Sequence, residues 1–415
     1  MHLSPGRAAL LAALGLAALA PTTARAQTQD LFVSNAGSNT ISRFAGTGPG
    51  TFSTAATTLS DPSLDNPRGL AFDARGDLFA ANLHPGGSDP YEGSITEFAA
   101  GTAPGTFGAT TTMTDPSLNN PVGLAVDARG DLFAANIFGN SITEFLAGPT
   151  PGTFGPATVV TAPSLNGPFG LAFDASGDLF AADFYGRNIT EFAAGATPGT
   201  FGAASTILNS PGYVPLGLAV DAHGDLFVSN LAANSSAHSI TEFVVGATPG
   251  TFGAPTNFTF PNLGRPYGLA FDARGDLFVA NYDNGTIIEF ASTGAGALGA
   301  GTVVETGLSN PTFLAFGPSA VPVLVSLSFP SPVPGGTVVS ATVTLSGPAQ
   351  ADVVVGLSSS DSSVVRLHRA VIILAGSSSA TFPINTFRSH VTQAVTITAS
   401  LNGVVMAVPL SITGW

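Results

Sequence analysis

The chain has 415 residues, of which 44% are hydrophobic and only 9% charged, and its net charge is −14. There is no Lys and no basic cluster, which speaks against nucleic acid or an anionic membrane surface as a partner. There is no Cys either, so no disulfide can staple the chain and its stability must come from core burial.

Residues 1–26 read as a secretory leader: Arg7, an apolar run from Ala8 to Ala20, and the small-residue ending Ala24-Arg25-Ala26. Cleavage after Ala26 would make Gln27 the new N-terminus. No other stretch is long and apolar enough to span a bilayer. The expected location is therefore outside the cell or in the periplasm or envelope of a bacterium, with no membrane span once the leader is removed.

From Asp30 onward the chain repeats itself. A DLFxxN element begins at Asp30, Asp77, Asp131, Asp178, Asp225 and Asp276. An element close to SITEF ends at Phe44, Phe98, Phe145, Phe192, Phe243 and Phe290. A PxGLA[FV]D element begins at Pro67, Pro121, Pro168, Pro215 and Pro266, and degenerates to PTFLAFG at Pro311. PGTF ends at Phe52, Phe107, Phe154, Phe201 and Phe252, with a faint echo at Gly296 to Gly299. A period near 50 residues, repeated six times, means a repeat architecture.

Each unit holds four short apolar runs: PxGLAF (strand a), DLFxxN (strand b), SITEF (strand c) and a variable run such as Ala157 to Ala162 (strand d). Their Phe, Val, Ile and Thr content, broken by Gly, Pro and Asn, is that of strands. Asp-Ala-Arg-Gly-Asp joins a to b as a tight hairpin in which Gly supplies a positive φ. Strands a and b are apolar on both parities, so both faces of the sheet are buried. Four-stranded sheets repeated radially make an all-β fold, the β-propeller. The chain enters on a strand b and leaves the repeats on a strand a. The last strand a, near Leu314, is thus expected to join the sheet of Leu31 to Phe44 and close a six-bladed ring.

The PxGLAFDxxGDLFxAN…ITEF pattern resembles NHL-type repeats, over roughly residues 30 to 317. That resemblance implies six blades. It leaves function open, because propellers host many activities. The ring and the PxG motif are also similar to two enzyme groups, the regucalcin/gluconolactonase-like and the virginiamycin B lyase-like propellers. From about Pro318 the composition turns to Val, Ser and Thr, and alternation is clear in Val338 to Leu345 and Val395 to Leu401. About seven short strands suggest a small immunoglobulin-like sandwich over 319–415, after a propeller over 27–318. It resembles modules appended to bacterial secreted proteins and reads as a spacer or stabiliser.

Antiparallel order places the b–c and d–a loops on one face. All five Tyr fall there: Tyr91, Tyr185, Tyr213, Tyr267 and Tyr282. So do His84, His238, Arg68, Arg187 and Arg265, and two insertions, one after Asn82 and one after Asn230. Aromatics with Arg are what ligand surfaces enrich. The residue before Gly in PxG should lie at the channel mouth: Arg68, Val122, Phe169, Leu216, Tyr267 and, in the sixth copy, Thr312. The regucalcin-like resemblance implies an acidic or amide metal ligand at such positions, and none is present; no metal and no cofactor is expected. The lyase resemblance implies His and Glu on this face, which leaves His84, His238 and Glu92. The strand-b ends form a further ring, Asn35, Asn82, Asn136, Asp183, Asn230 and Asn281, read either as turn-bonding residues or as a polar collar around the channel.

On the other face, paired carboxylates recur at every a–b turn (Asp73/Asp77, Asp127/Asp131, Asp174/Asp178, Asp221/Asp225 and Asp272/Asp276). Recurrence in every blade reads as turn architecture rather than catalysis. No GxSxG, HExxH, P-loop or Rossmann fingerprint occurs. The leading expectation is a non-catalytic binding propeller for a glycan, peptide or small ligand. Its candidate residues are Arg68, Phe169, Tyr267, Tyr185, Tyr213 and Tyr282, with the collar residues Asn82, Asn136, Asp183, Asn230 and Asn281. The alternatives are a lyase or lactonase working at the channel mouth, and a purely structural envelope protein.

Overall fold

The computed structural model describes residues 29–414 apart from 49–50, 84–92, 102–104, 150–151, 198, 209–212, 233–237, 247–249, 262, 295–296, 318–323, 346–352, 375–376 and 402–403. The leader 1–26, the cores of both insertions with His84, Tyr91 and Glu92, and the expected boundary at 318/319 lie outside the described residues. No helix among the described residues is long and apolar enough to cross a membrane.

Six four-stranded antiparallel sheets follow the six copies of the repeat. In the order a, b, c, d, blade 2 is Pro67–Phe72, Leu78–Asn82, Ser94–Ala100 and Phe107–Met113, and blade 3 is Pro121–Val126, Leu132–Asn136, Ser141–Ala147 and Phe154–Val160. Blade 4 is Pro168–Phe173, Leu179–Asp183, Asn188–Ala194 and Phe201–Leu208, and blade 5 is Tyr213–Val220, Leu226–Ala232, Ser239–Phe243 and Thr256–Phe258. Blade 6 is Pro266–Phe271, Leu277–Asn281, Thr286–Gly294 and Ala297–Glu305. Blade 1 takes its strand a, Pro311–Phe316, from the end of the repeats and the others, Leu31–Asn35, Thr40–Phe44 and Thr57–Leu59, from their start. Leu31 pairs with Phe316 and Val33 with Leu314. Each strand a touches the strand a of the next blade, from blade 2 round to blade 1 and back to blade 2. The molecule is a β-propeller.

The two-residue period of a strand explains why strand b is apolar throughout. In blade 2, Leu78 and Ala80 face the seam with blade 1, whereas Phe79 and Ala81 face the seam with blade 3. Six buried clusters result, one at each seam. The Phe of PGTF opens strand d in blades 2 to 4, lies just before it in blade 5, and reaches back across a seam: Phe107 meets Phe32 edge to face at 5.7 Å and Phe154 meets Phe79 at 5.6 Å. Phe201 meets Phe133 at 5.9 Å and Phe252 meets Phe180 at 5.7 Å. The motif therefore recurs because it locks each blade to the previous one.

The glycine of PxG is a close-approach residue. A Cβ on Gly123 would overlap the carbonyl oxygen of Phe169 in the next blade, and Gly69, Gly170 and Gly217 stand in the same relation to their neighbours. In blade 1 that seat holds Phe313, and the seam is closed by hydroxyls instead. Thr312 Oγ1 donates to Pro67 O at 3.1 Å and Ser34 Oγ donates to Arg68 O at 2.5 Å. The a–b turns match the expectation: Asp73 Oδ1 accepts from the amides of Arg75 and Asp77, both at 2.9 Å, and Gly76 sits at φ 93°.

After residue 323 two more sheets, of four and five strands, enclose one apolar core that includes Val343, Ile384, Ile397 and Leu410. They carry nine strands, where the sequence suggested about seven, because Val333–Pro334 and Val365–Arg366 are two-residue strands too short to leave an alternation pattern.

Candidate functional site

The channel mouth on the b–c/d–a side is built from two apolar rings. The inner ring comes from strand a. A register shift between the Pro and the Leu of PxGL, as between Pro121 and Leu124, releases the x residue from the ladder. Val122, Phe169 and Leu216 pack together there and are buried. The sixth member is Phe313, not Thr312. Thr312 is fully buried in the seam through its bonds to Ser34 and Pro67, and the absence of a glycine brings the next side chain to the mouth.

The outer ring is the residue that follows the strand-b Asn or Asp, which the sequence reading did not single out. Leu83, Ile137, Phe184 and Leu231 all pack on the inner ring. Backbone bonds tie this position to the d–a loop: Ile137 N donates to Asn120 O at 3.3 Å, Phe184 N to Gly167 O at 2.9 Å and, at the same position of blade 6, Tyr282 N to Arg265 O at 2.9 Å. The signal was present as an apolar residue directly after a strand-end Asn or Asp, where a loop rim calls for a polar one.

Aromatic rings run across this surface. Phe169 stacks on Phe184 at 5.9 Å and on Phe313 at 5.9 Å, and meets Tyr267 edge to face at 5.6 Å. Tyr267 stacks on Tyr282 at 4.7 Å. Tyr185 packs edge to face on Phe184 at 5.1 Å and remains exposed, as does Phe138 in the neighbouring blade. The structure thus brings together Phe169, Tyr267, Tyr282 and Tyr185. Tyr213 starts strand a of blade 5, pairs with Ala232, and makes none of these ring contacts.

Two guanidinium groups border the rings. Arg68 lies over Tyr267 at 5.8 Å and Arg265 over Tyr282 at 5.5 Å. Arg265 is 3.4 Å from Asp283. Arg68 makes no ion pair among the described residues, and its Nε is buried without a hydrogen-bond partner. His238 turns Nδ1 to the amide of Ala232 at 3.2 Å, and burial pushes its imidazole below the usual range.

The strand-b ring sits inside the blades. Asn82, Asn136, Asp183, Asn230 and Asn281 are fully buried, and Asn35 nearly so. Asn82 Oδ1 accepts from Asp65 N at 3.1 Å while its Nδ2 donates to Ser94 Oγ and Thr96 Oγ1 at 3.2 and 2.9 Å. Asn136 repeats the pattern with Asn119, Ser141 and Thr143. Asn230 donates to Thr241 at 2.8 Å, and Asn281 accepts from Gly264 N at 2.7 Å. These bonds join strand b to strand c and the d–a loop and direct the amides away from the channel. Asp183 is the one carboxylate of the ring. It accepts from Thr190 Oγ1 at 2.7 Å and Asn166 N at 3.1 Å, and burial raises its pKa to about 6.

No protein-family model matches the chain, and no curated protein matches it. Solved structures do. A putative 6-phosphogluconolactonase from Bacteroides fragilis is 19% identical with a TM-score of 0.51, over 72% of this chain and 99% of that one. One from Bacteroides uniformis is 17% identical with a TM-score of 0.50, over 70% and 99%. Virginiamycin B lyase from Staphylococcus aureus is 17% identical with a TM-score of 0.43, over 62% and 80%. The likeness is one of fold.

Proposed function

We propose that this is an exported, non-catalytic binding protein whose propeller takes an acidic glycan, peptide or small ligand over the aromatic mouth of the b–c/d–a face. The observation that carries the reading is Arg68, a guanidinium with no ion pair among the described residues, set over Tyr267 at the edge of an apolar, ring-lined surface. A carboxylate or sulfate on the ligand supplies the missing anion. A sugar ring or aromatic side chain stacks on Tyr267, Tyr282 or the exposed Tyr185. The inner ring is Val, Phe, Leu, Tyr and Phe apart from Arg68. It offers no oxygen donor set for a hard divalent cation and no pair of titratable groups for acid–base work, which favours binding over turnover.

The test is binding of the purified protein to glycan and peptide arrays, repeated with Arg68→Gln, Phe169→Ala and Tyr267→Ala. Loss of acidic ligands in Arg68→Gln and of all ligands in Tyr267→Ala is expected. Unchanged binding in all three variants removes this face. The enzyme alternative, a lyase or lactonase working at the mouth, calls for turnover that disappears on changing His84, His238 or Glu92.

A further inference from the structure

The opposite face carries a second recurring arrangement. Each a–b turn brings two Asp beside the Glu of strand c, and in most blades an Arg lies among them. In blade 3, Arg129 Nε donates to Asp127 Oδ2 at 2.9 Å, and its Nη2 meets Asp131 Oδ2 and lies 3.8 Å from Glu144 Oε1. In blade 6, Arg274 bridges Asp272, Asp276 and Glu289, the last at 3.4 Å from Oε1. Arg75 joins Asp73 and Asp77 in blade 2, at 2.5 and 2.8 Å. Blade 1 uses Arg43 with Asp30, at 2.6 Å. Blade 5 has His223, 3.0 Å from Asp221. Each guanidinium is a planar fork shared between carboxylates, a geometry that a point charge does not reproduce.

At this corner blade 4 has the three carboxylates and, among the described residues, no cation paired with them. Its turn reads Asp174-Ala175-Ser176-Gly177-Asp178, with Ser176 where blades 2, 3 and 6 have Arg. No ion pair forms with Asp174, Asp178 or Glu191 among the described residues, and the charges acting on Glu191 are those of Asp178 and Asp174. Glu191 is 3% exposed. Its Oε2 accepts from Ser205 Oγ at 2.8 Å, but Oε1 has no partner. That is the oxygen which faces the guanidinium in blades 3 and 6. The wall beyond it is Gly250 of the next blade's PGTF turn. In blade 3 the corresponding glycine, Gly199, is where the Arg129 guanidinium rests.

We propose that the Asp174–Asp178–Glu191 seat of blade 4 binds a guanidinium group from outside the chain, the arginine side chain of a partner peptide or protein. The sister blades show that the seat fits this group and that it is entered from the surface, since Arg75, Arg129 and Arg274 keep 41%, 36% and 27% of their side chains exposed. A buried carboxylate oxygen without a donor is costly, and a guanidinium can satisfy it, as Arg274 Nη2 does by donating to Glu289 Oε1 at 3.4 Å in blade 6; in blade 3 Arg129 stops 3.8 Å from Glu144 Oε1, which has no hydrogen-bond partner. The seat is on the face away from the aromatic mouth and does not depend on the mouth's ligand.

The experiment is an NMR titration of the full chain at pH 8 with capped arginine (N-acetylarginine amide), with capped glutamine as the neutral control. The wild type is expected to bind one equivalent of capped arginine and no glutamine. Ser176→Arg fills the seat from within and should weaken binding at least tenfold. Glu191→Gln, which leaves the seat empty but less charged, should weaken it several-fold, and Arg75→Ser should add a second equivalent in blade 2. Absence of wild-type binding overturns the proposal, as does unchanged affinity in both Ser176→Arg and Glu191→Gln. Calcium binding that Ser176→Arg abolishes, without arginine binding, also overturns it, by making the cluster a metal site.

Discussion

Asp183→Asn should make the protein more stable, and only above the acidic range. Five of the six strand-b ends carry Asn; blade 4 carries Asp at a fully buried position. Burial raises its pKa from 3.8 to about 6, with the Thr190 and Asn166 hydrogen bonds offsetting part of the rise. A folded-state pKa above the unfolded value means that the folded state binds more protons between pH 3.8 and 6. Stability therefore falls as pH rises through that window and levels off above it. Two pH units correspond to about 3 kcal/mol at neutral pH. Asn removes this term and keeps the geometry: its Oδ1 can take the Asn166 amide, as Asn82 takes that of Asp65. Its Nδ2 can reach the buried Asn188 Oδ1, which has no partner. For a ring of this size the gain amounts to about 3 to 5 °C in melting midpoint. Melting curves of both proteins from pH 4 to pH 8 provide the assay. The midpoints should coincide near pH 4 and separate by pH 7. Part of the slope should persist in both, because burial also raises Glu305 to about 6. Parallel curves across the range, or a variant less stable at pH 8, would refute the reasoning.

Four further outcomes are expected. Gly123→Ala forces a Cβ into the Phe169 carbonyl and should cost about 2 to 3 kcal/mol by denaturant unfolding, whereas Gly108→Ala, with nothing nearer than 3.8 Å, should be neutral within about 0.5 kcal/mol. Phe169→Ala should cost about 3 kcal/mol by the same measurement, because the ring is buried among Phe184, Tyr267 and Phe313. Ser176→Arg should raise stability by up to about 1 kcal/mol at low salt, and the gain should shrink in 1 M salt. Deleting the chain from Pro311 onward should expose the edge of Leu31–Asn35 and drive aggregation, seen by light scattering, whereas ending it after Gly317 should not.

The ring was legible because its signals are local and repeated. PxG, DLFxxN and PGTF each do one job in every blade, and the order in which the copies start and stop specified the closing sheet. The mouth was legible in part. The x of PxG pointed to Val122, Phe169, Leu216 and Tyr267, but the sixth copy has no glycine, and the shift from Thr312 to Phe313 depends on a seam between the first and last repeats. Phe184 and Ile137 were missed because their role depends on the d–a loop of the same blade folding over them. In sequence the Asn ring favoured a turn bond, with a channel collar as the alternative; burial and its bonds to strand c and the d–a loop agree with the structural role. Nothing local marked Ser176, which matters only against the Arg that other blades place at its position.

The most direct test of the binding account is an experimental structure of the protein with an acidic ligand recovered from the arrays. The account predicts density over Phe169 and Tyr267 with the ligand's anionic group on Arg68. Density on the a–b/c–d face, or a metal ion held by side chains in the channel, would contradict it.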